Sequence, residues 1–314
     1  MEKQEAHIPV MMGECMQNLG LSAGKTVVDA TLGGGGHAGE ILKRILPGGK
    51  LIGVDKDEEA IQRCKKRFAG NDQDILYLHG DFKELPGMLS ENGIQKVDGI
   101  LIDLGVSSFQ LEDAERGFSY NQEARLDMRM DKSAELTAYD VVNGYSKSEL
   151  AKIIRDFGEE KWASRIADFI ERRRSEKKIE TTAELTEIIK NAIPAAARRN
   201  GPHPAKRTFQ AIRIEVNGEL AGLEKAIYEF AELLQPGGRL CVITFHSLED
   251  RIVKQAMKKL YNPCECPPSA PICTCGKVRT VRIITTKPIV PGDEEILENA
   301  RARSAKLRVI EKII

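Results

Sequence analysis

The run Asp29-Ala30-Thr31-Leu32-Gly33-Gly34-Gly35-Gly36 constrains this chain more than any other feature, because of what flanks it. Before it, Lys25-Thr26-Val27-Val28-Asp29-Ala30 reads as a buried strand. After it, Ala38 to Leu46 places apolar residues at helical spacing and stops at Pro47-Gly48-Gly49. Glycines between a strand and a helix let the backbone come close to a ligand, and the first turn of the helix offers free N–H groups to a negative group. The alternation then continues, with strands at Lys50–Asp55, Ile75–Leu78 and Val97–Leu104 and a helix from Asp57 to Phe68. Short apolar strands separated by helix-length segments imply a parallel sheet covered on both faces, and right-handed crossovers give it a Rossmann-like order.

The regularity breaks after Leu104. The next parallel strand pattern is Gly238–Phe245, preceded by a helix (Glu219–Leu234) and the turn Gln235-Pro236-Gly237-Gly238. More than a hundred residues intervene, too many for a loop, so they form a unit of their own. Ser146-x-x-Glu149 and Thr181-x-x-Glu184 both fit the capping box and precede apolar residues at helical spacing. The expected division is 1–108 with 205–314 for the α/β domain and 109–204 for an inserted helical domain that recognises substrate. A helix at Leu248–Leu260 follows, and Val278–Thr285 with Lys306–Glu311 suits a closing antiparallel hairpin.

With 314 residues, 41% of them apolar, the chain can bury a full core, which excludes a disordered or fibrous protein. No run approaches the roughly 18–20 apolar residues of a membrane span, and Met1-Glu2-Lys3-Gln4-Glu5 is no signal sequence, so no membrane association and a cytoplasmic location are expected. Formal net charge is zero, but Tyr145–Glu215 holds 16 basic residues against 11 acidic, and Asp250–Arg282 holds 7 against 2. Basic surface confined to two stretches suits a polyanion, although solvated helix faces explain charge alone equally well.

The glycine turn admits two cofactors. Gly34-x-Gly36-x-x-Gly39 with Asp55 nineteen residues past Gly36 matches the dinucleotide fingerprint of a nicotinamide dehydrogenase. Three features favour S-adenosylmethionine (SAM). Asp29, four residues before the first glycine, repels a pyrophosphate but suits an ammonium. His79-Gly80-Asp81-Phe82 adds an acceptor for an adenine edge and a ring to stack on. Asp103-Leu104-Gly105-Val106-Ser107-Ser108, ending the fourth strand, is a polar cluster where a methyl acceptor fits, or else a capped turn.

Longer strings carry a family resemblance that runs nearly end to end: His7-Ile-Pro-Val10, Asp29 to His37, Asp103 to Ser108 with Gln110 to Ser119, Leu126 to Asp131, His203 to Arg213, Phe245 to Arg251 and Arg301 to Arg308. The chain resembles the bacterial 16S rRNA cytosine-N4 methyltransferases, the MraW/RsmH family. The resemblance implies a Rossmann-like class I SAM-dependent methyltransferase fold with an inserted helical domain. It also implies methylation of the exocyclic N4 amine of a cytidine in the decoding region of 16S rRNA. Cofactor contacts then fall on Gly34, Gly35, Gly36, His37, Asp55, Asp81, Phe82, Asp103 and Gln110. Asp103 is the expected anchor and acceptor for the amine, and His246, after the next strand, is a proton acceptor or else a structural histidine. The usual Asp/Asn-Pro-Pro-aromatic string is replaced by Asp103-Leu104-Gly105-Val106, so an aromatic platform must come from elsewhere.

The partner so implied is the small ribosomal subunit or its free RNA. Phosphate contacts are expected from Arg172, Arg173, Arg174, Lys177, Lys178, Arg198, Arg199, Lys206 and Arg207, with Arg125 and Arg129, and a mobile Gln110–Met130 loop is expected to help unstack the base. A homodimer stays open. A SAM fold kept for RNA binding during ribosome assembly, without turnover, is the remaining alternative, against which the intact Asp29, Gly35, Asp55 and Asp103 count.

Of seven cysteines, Cys15, Cys64 and Cys241 sit among apolar neighbours as buried thiols. Cys264-x-Cys266 and Cys273-x-Cys275 crowd around a proline-rich spacer, where metal outranks disulfide in a cytosolic chain. Tetrahedral ligation of a structural zinc by Cys264, Cys266, Cys273 and Cys275 weighs evenly against unligated thiols, since the spacing is not the usual two-residue knuckle.

Overall fold

A computed structural model describes residues 9–199, 201–267, 272 and 274–314. The chain begins with α1 (Met12–Asn18), β1 (Thr26–Asp29), α2 (Gly36–Ile45), β2 (Lys50–Asp55), α3 (Glu58–Arg67), β3 (Ile75–His79), α4 (Leu85–Glu91) and β4 (Val97–Asp103). It continues through α5 (Ser108–Glu112), α6 (Ala138–Gly144), α7 (Lys147–Asp156), α8 (Ala163–Glu176), α9 (Thr182–Ala192) and α10 (Lys206–Asn217). It closes with α11 (Leu223–Leu233), β5 (Leu234–Thr244), α12 (Ser247–Tyr261), β6 (Val281–Ile283), α13 (Asp293–Glu298) and β7 (Lys306–Lys312). Two compact units result, one running to Gly105 and resuming over Ala221–Ile314, the other spanning Val106–Leu220.

The first unit is built on a seven-stranded sheet of order β3-β2-β1-β4-β5-β7-β6. The first five strands in that order pair in parallel, whereas β7 runs antiparallel to both β5 and β6. The continuous apolar runs of the strands are explained by their two buried faces. Val27, Leu51, Leu101, Cys241 and Ile243 join one cluster with Ile41 and Ile45 of α2. Val28, Ile52, Ile100, Ile102, Leu240 and Val242 join another with Ile227 and Phe230 of α11. Alternate residues of each strand thus go to opposite cores, as the two-residue period requires. Strand order reverses direction at β1, which has β2 on one side and β4 on the other, and open α/β sheets leave a ligand crevice at the carboxyl ends of such strands.

Two details differ from expectation. The closing strands pair antiparallel, but α13 lies in their connection, so they are no tight hairpin, and β6 is shorter than Val278–Thr285. Strand β5 starts at Leu234 and absorbs the Pro236-Gly237-Gly238 turn as a register shift against Val97 and Gly99. Cys15, Cys64 and Cys241 are buried as expected, and burial pushes the Cys64 thiol up to about 12.

In the second unit, both expected capping boxes form, Ser146 with Glu149 and Thr181 with Glu184. Its core also takes Phe209, Ile212 and Val216 of α10, against Leu150, Ile154, Ile166 and Leu185. The unit therefore extends past residue 204, the expected boundary. The basic start of α10 disguised an apolar face at helical spacing that this core buries. Within the Gln110–Met130 stretch, anchored residues alternate with the exposed runs 112–115 and 121–123. Arg116, 4% exposed, donates to the carbonyls of Arg129 and Met130, and Phe118, Leu126, Met128 and Met130 are buried. Among the described residues, no helix is long and apolar enough to cross a membrane.

Candidate active site

The site residues of the first unit gather at the carboxyl ends of β1, β2 and β4. Gly33 and Gly35 take the left-handed conformation (φ 51° and 73°), which only glycine adopts without strain. The turn is anchored from both sides. Asp55, ending β2, accepts a 2.7 Å hydrogen bond from the Gly33 N–H through Oδ2 and a 2.8 Å bond from the Asp57 N–H through Oδ1. Each carboxylate oxygen keeps a second lone pair, so a diol remains an acceptable partner. A Cβ on Gly35 would stand 2.8 Å from the Phe68 ring and 2.9 Å from the Cys64 sulfur, and one on Gly36 would stand 2.2 Å from Pro9 Cγ. The glycines at 35 and 36 are therefore demanded by packing against the chain itself, a cause independent of any ligand.

Asp29 is 1% exposed and accepts from the Thr31 N–H at 3.3 Å. Burial raises its carboxyl to about 7; the nearby Asp55 adds to the rise, and the N–H groups of Thr31 and Ala38 oppose it. Asp103 is held by its own N–H, which donates to Thr31 Oγ1 at 2.7 Å. Its Oδ1 is buried with no hydrogen-bond partner, and its Oδ2 lies 3.9 Å from His37 Nδ1. Burial lifts this carboxyl well above the usual range, and Asp29 and Glu249 lift it further. His37 is buried, with Nε2 3.0 Å from the Val10 carbonyl. A carbonyl only accepts, so the proton sits on Nε2 and the face toward Asp103 is the Nδ1 side.

His246 is the N-cap of α12. Its Nδ1 accepts from the Glu249 N–H at 3.5 Å, and Glu249 Oε2 accepts from the N–H groups of Phe245 and His246 at 2.8 and 3.3 Å. Its Nε2 lies 3.0 Å from Glu249 Oε1 but forms no hydrogen bond. Both ring nitrogens thus face Glu249, and the ring serves the helix start. Asp81 caps the one-turn helix Phe82–Glu84 by accepting from the Lys83 N–H at 3.0 Å, and the Phe82 ring meets Phe230 edge-on at 6.3 Å.

Gln110 belongs to the second unit, where it completes a capping box with Ser107 at the start of α5. Cys264, Cys266 and Cys275 bring their sulfurs within 4.8 Å of one another; Cys273 lies outside the described residues. Sequence reasoning missed Thr31 and Glu249. The spacing His246-x-x-Glu249 was a usable signal, hidden because histidine is an uncommon N-cap.

The sheet order with its antiparallel β7, and the acid-glycine turn at the switch point, define a Rossmann-like class I SAM-dependent methyltransferase fold. The model of the MraW methylase family matches residues 4–313, and the chain belongs to that family. A protein of Acetivibrio thermocellus is 55% identical over 98% of this chain and 99% of its own length. One of Clostridioides difficile is 53% identical over 98% and 99%. Both relatives are named ribosomal RNA small subunit methyltransferase H.

Proposed function

We propose that this chain transfers a methyl group from SAM to the exocyclic N4 amine of a cytidine in the decoding region of 16S rRNA. The observation that carries the reading is the acid cluster at the switch point. Burial, with Asp29 and Glu249 nearby, raises the proton affinity of Asp103, and one oxygen of Asp103 is buried without a partner. Such a cluster fits a ligand bearing positive charge and rejects a pyrophosphate, which disfavours a nicotinamide dinucleotide. SAM supplies the activated methyl and carries both a sulfonium and an ammonium.

The residues then divide the work. The turn Gly33–Gly36 and Asp55 hold the nucleoside end, with Gly34, Gly35, Gly36 and Asp55 as contacts, and Asp81 and Phe82 border the base. Asp29 meets the ammonium, directly or through water. A cytosine amine is a poor nucleophile because its lone pair is delocalised into the ring. Asp103 accepts a hydrogen from that nitrogen as the lone pair localises, and its raised proton affinity strengthens it as an acceptor. His37 holds position behind Asp103. His246 acts through Glu249, by fixing the start of α12, rather than as the base. This reading places the protein in the cytoplasm with the small ribosomal subunit. The names of the relatives support the RNA substrate, and the intact acid cluster counts against an assembly factor without turnover.

Incubation with methyl-labelled SAM and small subunits or free RNA lacking the modification tests the proposal. Label should appear in N4-methylcytidine after digestion to nucleosides, confined to the decoding region. Label in another nucleoside, or none with either substrate, would refute it.

A further inference from the structure

Between Tyr261 of α12 and Val281 of β6, the described residues form no buried core. None of them is buried and none lies in a helix or strand, and Ile272 and Val278 are 75% and 66% exposed. Hydrophobic burial therefore does not hold these described residues. The root of the segment is fixed, since Arg279 donates to the Tyr261 carbonyl at 2.9 Å and lays its guanidinium 3.9 Å from the Tyr261 ring centroid. Beyond that root, three thiols converge from both ends of the segment.

The sulfurs of Cys264, Cys266 and Cys275 lie within 4.8 Å of one another, and Cys264 and Cys275 are 3.8 Å apart. Two thiolates bound to one tetrahedral zinc at about 2.3 Å each stand about 3.8 Å apart, whereas disulfide sulfurs are separated by about 2.05 Å. The Thr274 N–H donates to Cys266 Sγ at 3.3 Å, the kind of bond that supports charge on a metal-bound sulfur. Cys266 is held in place from the side of Cys275 by this bond. Lys277, 2.5 Å from Glu265, adds a second tie between the two ends.

We propose that Cys264, Cys266 and Cys275 bind one zinc ion as thiolates and that this ion, rather than a core, orders the segment between α12 and β6. Zinc fits better than magnesium or calcium because the ligands are soft sulfurs rather than oxygens. The ion takes no part in methyl transfer, so the site stands or falls apart from the proposed activity.

The test uses the full chain, purified under reducing conditions without chelator, loaded with zinc and dialysed. Plasma mass spectrometry should find one zinc per chain, and cobalt in its place should give the visible absorption of a tetrahedral thiolate site. The variant Cys264→Ser/Cys275→Ser should lose both signals while still binding labelled SAM, which shows that the chain is folded. Chelation should lower the melting midpoint of the wild type and leave that of the variant unchanged. Absence of stoichiometric zinc in the wild type, or equal zinc in the double variant, overturns the proposal.

Discussion

Asp29 and Asp103 hold protons more tightly than ordinary carboxyls because both are buried near other acids. For Asp29 the consequence has a definite sign. Its folded carboxyl titrates at about 7, above the ordinary aspartate value of 3.8, so ionisation opposes folding. The penalty is absent at low pH, grows as pH rises between those two values, and is constant above the higher one. A cationic ligand favours the ionised form, so the affinity for SAM should rise with pH through about 7 and then level off. Titration calorimetry across that range, with Asp29→Asn as the flat control, measures it. Equal slopes for the two proteins would remove Asp29 from the ligand's surroundings. Asp103 carries a different expectation. Asp103→Asn leaves an oxygen that accepts a hydrogen bond but cannot take up a proton, and it relieves like-charge crowding, so turnover should fall by about 10²–10⁴-fold with no loss of stability. Single-turnover methyl transfer beside thermal unfolding checks both halves. At this scale Asp29, Asp55 and Asp103 were legible because their spacing from the glycine turn and strand ends is local. Thr31 and Glu249 were not, since their roles depend on which strand ends lie side by side. The glycines at 35 and 36 were legible for an incomplete reason, as the ring of Phe68 and the ring of Pro9 set their size limit.

Among the elements, the start of α12 separates two explanations of His246. As a cap, the side chain needs only an acceptor for the Glu249 N–H, which asparagine supplies well. As a base, it needs an imidazole. His246→Asn should therefore keep most of the turnover and an unshifted pH profile. His246→Ala should lose about 0.5–2 kcal/mol of stability, the usual range for a lost N-cap. A His246→Asn enzyme that folds normally but turns over as poorly as Asp103→Asn would restore the histidine to the chemistry. Capping logic also shows what the sequence disclosed of the elements. Ser146 and Thr181 announced their helices because their hydroxyls and the glutamates three residues on form a local pattern. The same pattern with glutamine or aspartate at the third position, Ser107-Gln110 and Thr137-Asp140, is harder to see in the sequence. Strands β1, β2 and β4 were legible from continuous apolar runs. The start of strand β5 was not, because a strand that absorbs Pro-Gly-Gly as a bulge looks like a turn until its neighbour is known.

For the whole molecule, zero net charge conceals a division of labour among cations in the second unit. Some of the cations expected to grip phosphate already have structural partners. Arg174 donates to the carbonyls of Val142 and Tyr145 at 2.7 and 2.6 Å, and Arg129 makes a bidentate pair with Asp127 while donating to the Lys132 and Ala134 carbonyls. Arg172 pairs with Asp168, Arg173 with Glu176 and Lys177 with Glu184, and Arg207 donates to the Glu159 carbonyl. Arg125, Lys178, Arg198, Arg199 and Lys206 are exposed and form no ion pair among the described residues. Net charge and motif strings cannot make this distinction, because a guanidinium that closes a helix end and one that faces solvent have the same letter. The two groups should therefore respond differently. A combined Lys178→Ala, Arg198→Ala and Arg199→Ala variant should weaken RNA binding and flatten its salt dependence, by about 0.7–0.9 of a log unit per log unit of salt for each phosphate no longer neutralised, with SAM affinity unchanged. Arg174→Ala should instead lower the unfolding midpoint, since two carbonyls at the end of α6 lose their donor. Filter binding across a salt series, read beside thermal unfolding, separates the outcomes. An unchanged salt slope in the triple variant would move the RNA-gripping surface away from α8 and the segment before α10.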